Sequence, residues 1–279
     1  MEKQILEQLA ALGHAQRLSV FRLLMRRYPD AVAAGEIAAA LGLKGSTLSV
    51  YLGALRQAGL ITQTAKGTSR LYRADTRSAD ALVGFLFEDC CRSRPETCLS
   101  RAAFGIEKNE DTTRVYNVLF ICSGNSARSV IAESLLRDLA PERFAVYSAG
   151  TTPASHLNSV AVRMLADKGH DTSQLRAKHV SEFQSPGAPN FDFVFTVCDR
   201  AANEDCPAWP GQPISGHWGQ PDPARVQGTE AEKMLAFQQV YGALSNRISA
   251  FAALPIGAMD RNSLQHSVDQ MSHDTKEIQ

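Results

Sequence analysis

Apolar positions in the first 100 residues recur at helical spacing, then briefly at strand spacing. Residues 17–28 place Leu18, Phe21, Leu24 and Met25 on one stripe, and Pro29-Asp30 ends the pattern, so a helix is predicted there. GEIAAALGL (35–43) reads as a short helix closing at Gly42. Ser46 is the expected N-cap of a second helix through Leu60, with Leu48, Leu52 and Leu55 as its apolar stripe. Two β-prone runs then flank Lys66-Gly67-Thr68, a hairpin signal. Helix, turn, helix and hairpin make a winged helix, whose second helix enters the major groove of DNA while the wing reaches phosphates. Residues 78–93 give a further apolar helix ending in Cys90 and Cys91.

The period changes further on. Residues 105–114 are polar and without period, a linker between a first domain at 1–104 and a second at 115–256. VYNVLFIC (115–122) is a continuous apolar run of the kind that forms a buried parallel strand, and 127–140 form an amphipathic helix. FDFVFTV before Cys198 is a second such strand. Residues 229–254 form a long helix with Phe237, Tyr241, Leu244, Ile248 and Phe251 toward the core, and 257–279 read as a polar, mobile tail.

Apolar residues at 44% and charged residues at 21% exclude collagen, coiled coil and bulk disorder. No apolar run reaches a membrane span, and the first residues lack the core of a signal peptide, so a cytoplasmic protein with no membrane partner is expected. The balance of 29 basic and 29 acidic side chains conceals an asymmetry. Between positions 44 and 77 stand Lys44, Arg56, Lys66, Arg70, Arg73 and Arg77 against Asp75 alone, which suits an anionic polymer. Lys44, Ser46, Thr47, Ser49, Tyr51 and Arg56 on the second helix, with Lys66 and Arg70 on the wing, are the candidate DNA contacts.

Six cysteines in such a chain point to reactive or metal-binding thiols rather than disulfides. Cys90, Cys91 and Cys98 fall within nine residues and could form a trigonal sulfur site for a soft centre such as As(III). Cys122 opens the stretch CSGNSARS, a Cys-x5-Arg spacing between strand and helix. There the amides of Gly124, Asn125, Ser126 and Ala127 and the helix N-terminus can converge on a tetrahedral oxyanion. Arg128 clamps two of its oxygens. The helix dipole and Arg128 are expected to lower the Cys122 pKa and make it a nucleophile, with Ser129 bonded to the thiolate and Asn125 holding the loop.

The first half, on LGHAQRLSVFRLL, EIAAALGLKGSTLSVYLGALRQAGLI and the wing, resembles the ArsR-type metalloregulatory repressors. That resemblance implies a homodimer that binds a palindromic operator and releases it on metalloid binding. The archetypal cysteine pair of the recognition region is absent, since residues 35–59 contain no Cys. The second half, on CSGNSARS, YSAGT (147–151), FTVCDRAANEDCP (195–207) and HWGQPDPA (217–224), resembles the arsenate reductase branch of the low-molecular-weight tyrosine phosphatase fold. This implies an α/β domain with a four-stranded parallel sheet, behind a mainly α winged helix-turn-helix domain. It also implies Cys122 as nucleophile, Asp222 as general acid, Cys198 as resolving thiol and no bound catalytic cofactor. Cys206 is either a second shuttle or a spectator beside an external thiol such as thioredoxin or glutaredoxin with glutathione. Ala224, Arg225 and Val226 follow Asp222 where the phosphatases carry aromatic residues, which favours arsenate over phosphotyrosine. The expected protein joins an arsenite-responsive repressor to an arsenate reductase. Its rivals are a repressor with a non-catalytic oxyanion-binding domain and a tyrosine phosphatase fused to a DNA-binding domain.

Overall fold

The computed structural model describes residues 2–90, 114–185, 187–204 and 209–272. The chain divides into two compact units between Gly105 and Ile106, residues 203–205 apart.

The first unit opens with α1 (Glu2–Leu12), a helix not expected from the sequence pattern, and α2 (Ala15–Arg26). Val20, Phe21, Leu23 and Leu24 are the buried side of α2, whereas Leu18 and Met25 stand at its surface edge, so the predicted stripe is rotated. Strand β1 (Val32–Ala33) leads into α3 (Ala34–Leu41), which ends at Gly42 with φ of 62°, a left-handed cap that glycine adopts without strain. Helix α4 spans Gly45–Gln57 with Lys44 at its N-cap, so Ser46 is an early helical residue and not the cap. Leu48, Leu52 and Leu55 are buried against Val20, Leu24, Ile37 and Leu60, as the stripe required. Strands β2 (Ile61–Lys66) and β3 (Ser69–Ala74) pair antiparallel with Lys66 opposite Ser69, leaving Gly67-Thr68 as a two-residue turn with Gly67 at φ of 60°. The sheet order is β1-β3-β2. Asp75 caps α5 (Thr76–Phe85), accepting from the Ser78 N–H, and one π-helical turn, Leu86–Cys90, follows.

The second unit is a four-stranded parallel sheet of order β5-β4-β6-β7. Its strands are β4 (Tyr116–Cys122), β5 (Phe144–Gly150), β6 (Phe193–Thr196) and β7 (Ile214–His217). Between them come α6 (Arg128–Leu139), α7 (Ser159–Asp167) and the short α8 (Asp199–Asn203), and α9 (Glu230–Ala252) follows the sheet. Val118–Ile121 are wholly buried, which is why β4 lacks polar alternation. Trp218 stacks on Phe195 at 3.9 Å between ring centroids, and Phe251 of α9 meets Phe193 edge-on at 4.9 Å. Thr229 and Glu232 form a reciprocal capping box that starts α9. Phe237, Leu244, Ile248 and Phe251 are buried as predicted, while Tyr241 is half-buried and hydrogen-bonds His170 through its hydroxyl at 2.8 Å.

The tail departs most from expectation. Asp260 caps α10 (Arg261–Gln270), and Leu264 and Val268, four residues apart, are buried against the edge strand β7. Two apolar residues in a polar stretch suffice to dock a helix when they share a face.

Candidate functional site

Parallel pairing brings the carboxyl ends of β4 and β6 together, with Ile121 opposite Thr196 and the Val197 N–H donating to the Ile121 carbonyl at 2.8 Å. In an open parallel sheet that edge is where a crevice forms. Cys122 ends β4 and Cys198 follows β6, and both thiols are free and buried.

The loop after Cys122 has its carbonyls occupied from outside. Thr151, Thr152, Ala154 and Asn158 donate backbone N–H groups to the carbonyls of Cys122, Ser123, Gly124 and Ser126 at 2.8–3.1 Å. Because a trans peptide sets N–H opposite C=O, the amides of Ser123, Gly124, Asn125 and Ala127 are turned the other way. The Asn125 N–H donates to Cys122 Sγ at 3.1 Å. Backbone donors, the α6 N-terminus and Arg128 thus surround the sulfur, an anion cradle.

Asn125 sits at φ of 43°, in the left-handed region that asparagine tolerates better than most residues. Its buried amide is fully bonded: Oδ1 accepts the Lys178 N–H at 2.7 Å, and Nδ2 donates to Ser129 Oγ at 2.9 Å and Ser148 Oγ at 2.8 Å. Ser148 in turn donates to the buried Glu133 carboxylate, which Lys178 Nζ approaches at 3.2 Å. Gly150 is required beside this loop, because a Cβ there would lie 2.6 Å from the Ser123 carbonyl. The sequence pattern did not single out Ser148, Gly150, Glu133 and Lys178 as supports; YSAGT contained two of them, but the carboxylate and the lysine carry no local signal.

Cys122 Sγ lies 2.9 Å from Ser129 Oγ. Burial pushes the Cys122 thiol above its ordinary value, and the neighbouring Cys198 adds to this; Ser129 and Arg128 pull it down by less. The predicted lowering is therefore corrected: the sequence shows the cation and the helix end but not the desolvation. Cys198 Sγ is 3.5 Å from the hydroxyl of Ser123, the residue next to Cys122, and receives the Ala201 N–H at 3.4 Å.

Arg128 extends across the loop. Its guanidinium meets Asp222 Oδ2 at 3.0 Å and donates to the Gln220 carbonyl at 3.0 Å, and Asp222 caps a 3-10 turn through the Ala224 N–H. Cys122, Gly124, Ser126, Arg128, Asp199, Arg200, Gln220, Asp222 and Arg225 are among the residues lining a cleft of about 440 Å³. Among the described residues no aromatic ring lines it.

Of the expected sensor thiols, Cys90 is exposed at the end of the π turn, while Cys91 and Cys98 lie outside the described residues, as does Cys206. On the first unit, Lys44, Ser46, Ser49 and Arg56 are exposed on α4, and Lys66 and Arg70 on the hairpin. Thr47 is half-buried, and Tyr51 is tied through its hydroxyl to Gln16 of α2.

Residues 117–267 match the low molecular weight phosphotyrosine protein phosphatase family, and residues 12–64 match a helix-turn-helix domain. The chain belongs to the low molecular weight phosphotyrosine protein phosphatase family. Within that family it is 39% identical over 135 residues to the arsenate reductase of Bacillus subtilis, a match spanning 48% of this chain and 94% of the relative. It is 38% identical over 136 residues to the arsenate reductase of Bacillus licheniformis, with the same coverage. A solved thioredoxin-dependent arsenate reductase of Corynebacterium glutamicum aligns over 84% of this chain and 95% of its own, at 22% identity and a TM-score of 0.38. A helix-turn-helix domain is thus fused to a family member whose curated relatives are arsenate reductases.

Proposed function

We propose that the protein is a thiol-dependent arsenate reductase carrying its own arsenite-responsive, DNA-binding repressor domain. The observation that carries the enzymatic reading is the second buried thiol, Cys198, facing the residue beside Cys122. A phosphatase needs one thiol because water finishes the reaction; reducing As(V) to As(III) needs two electrons, hence two thiols.

Arsenate enters the loop of residues 122–129, held by the amides of Gly124 to Ala127 and by Arg128. The arsenate dianion acts as the base that takes the Cys122 proton, and the thiolate left beside it is held by the Asn125 N–H, Ser129 and Arg128. Cys122 Sγ attacks arsenic, Asp222 gives a proton to the departing oxygen, and water leaves. Cys198 then attacks Cys122 Sγ; the S–As electron pair stays on arsenic, which departs as arsenite, and a Cys122–Cys198 disulfide remains. The balance is one hydrogen arsenate dianion, two thiols and two protons in, one of the protons by way of Asp222, and one arsenous acid, one disulfide and one water out. A reduced external dithiol, of thioredoxin type or of glutaredoxin type with glutathione, restores the thiols, by way of Cys206 or directly. A cleft with no aromatic ring among its described lining residues suits a small inorganic oxyanion better than a phosphotyrosine side chain.

In the first unit, α4 and the wing bind operator DNA as a homodimer, and arsenite held by Cys90, Cys91 and Cys98 releases it. Thiol chemistry of this kind requires a reducing compartment, the cytoplasm. Among the described residues no single helix is long and apolar enough to cross a membrane. The test incubates reduced protein with arsenate and each thiol system, and follows arsenite formation and release of a labelled operator duplex together. Arsenite with DNA release supports both halves; release by added arsenite without turnover of arsenate would refute the enzyme.

A further inference from the structure

The segment that carries the proposed acid is anchored on its amino side as well as by the buried Pro223 that follows it. Trp218 N–H donates to the Thr196 carbonyl at 2.8 Å, the Trp218 carbonyl accepts from buried Arg247 at 3.2 Å, and Gln220, whose carbonyl holds Arg128, is tied to Val197. The residues directly before Trp218 form β7, an edge strand of the sheet.

An edge strand has one side without strand partners, and here α10 supplies them. The Gln265 amide forms both bonds of a strand pair with Ser215, accepting its N–H at 3.3 Å and donating to its carbonyl at 2.7 Å. Gln265 Nε2 is also held by Asp269 Oδ1 at 2.9 Å. Val268 packs so closely over Gly216 that a Cβ there would lie 2.8 Å from its Cγ1. Ser272, 2% exposed, donates its hydroxyl to the His217 carbonyl at 2.9 Å. His217 is buried and held at both ring nitrogens, by Thr196 Oγ1 at 2.8 Å and Asp199 Oδ1 at 3.1 Å. The carbonyl that Ser272 holds lies five residues before Asp222.

We infer that Ser272 and Gln265 are positioning residues: through β7 and His217 they fix the 218–222 segment, and so the place of Asp222 relative to Cys122. This rests on the reading of Asp222 as the acid. A displacement of about 1 Å in a reacting group can cost up to about 100-fold in rate, so loss of one strap should be visible in the chemical step while the oxyanion loop, held by Asn125 and residues 151–158, stays intact.

The test uses the full reduced chain in single-turnover arsenite formation, with Ser272→Ala, Ser272→Thr, Gln265→Ala, Asp222→Asn and the Asp222→Asn/Ser272→Ala double variant. Inhibition by inorganic phosphate reports the loop, and thermal melting reports folding. The expected result is a fall of about 10-fold in the rate for Ser272→Ala, with phosphate inhibition unchanged, recovery in Ser272→Thr, and no further fall when Ser272→Ala is added to Asp222→Asn. Gln265→Ala should behave like Ser272→Ala and serves where that variant does not fold. An unchanged rate in folded Ser272→Ala and Gln265→Ala, or an equal loss on top of Asp222→Asn, would overturn the inference and leave the acid in place. A wild-type rate in Asp222→Asn would instead remove the acid, and the strap's purpose with it.

Discussion

Asn125 Nδ2 donates to Ser129 Oγ at 2.9 Å, and that bond ties the loop asparagine to the hydroxyl that meets Cys122 Sγ. The Lys178 N–H fixes Asn125 Oδ1 as the acceptor end of the amide, so Nδ2 must donate. The Ser129 hydroxyl keeps its proton and its second lone pair for Cys122 Sγ, 2.9 Å away, with which it shares a hydrogen bond. Asn125→Ala removes this relay and strands buried partners, each worth about 1–3 kcal/mol when left unpaired. The expected outcome is a stability loss of about 2–4 kcal/mol by denaturant melt, together with a slower alkylation of Cys122.

The same sulfur gives a pH prediction. Its pKa is raised by burial and by Cys198, and lowered by Ser129 and Arg128. A raised thiol pKa keeps Cys122 protonated at neutral pH, so iodoacetamide labelling of anion-free protein should climb through a midpoint above that of an ordinary cysteine. Cys198→Ala removes a contribution that raises and should shift the midpoint down, whereas Ser129→Ala removes one that lowers and should shift it up. Mass spectrometry of labelled peptides checks both directions.

Arg128 sits 3.0 Å from Asp222. Arsenate must compete with that carboxylate for the guanidinium. Asp222→Asn should therefore lower kcat by about 10²–10⁴-fold, the scale of general acid catalysis, while arsenate or phosphate binds at least as tightly as before. Steady-state kinetics with phosphate as inhibitor separates the two effects, and equal losses in kcat and binding would count against the acid role.

The basic wing makes a separate prediction. Lys66 and Arg70 stand exposed at and near the hairpin tip. Replacing either with Ala should weaken binding to specific and nonspecific duplexes alike, and reduce the salt slope of log K by about 1 for each phosphate no longer neutralised. Fluorescence anisotropy over a salt series measures it.

Much of this molecule is legible in its sequence where a pattern is local. The Leu48, Leu52 and Leu55 stripe, the turn within Lys66-Gly67-Thr68 and the buried run of β4 each follow from spacing alone, and CSGNSARS spans the loop between β4 and α6. Long-range terms were not legible. Desolvation of Cys122 depends on how deep the end of β4 lies, and the Glu133, Lys178 and Ser148 support is assembled from three separate segments. Helix α10 was hidden because Leu264 and Val268 are its only buried side chains, in a stretch whose composition is polar.

The central claim is that Cys122 and Cys198 together supply two electrons to arsenate. The most direct test mixes fully reduced protein with arsenate and no external reductant, and counts arsenite and disulfides by mass spectrometry. The account predicts that Cys122→Ser forms no arsenite, that Cys198→Ser stops at a Cys122–arsenic adduct, and that the wild-type chain yields arsenite with a Cys122–Cys198 disulfide. Arsenite formed at the wild-type level by Cys122→Ser, or by Cys198→Ser without added thiol, would contradict it.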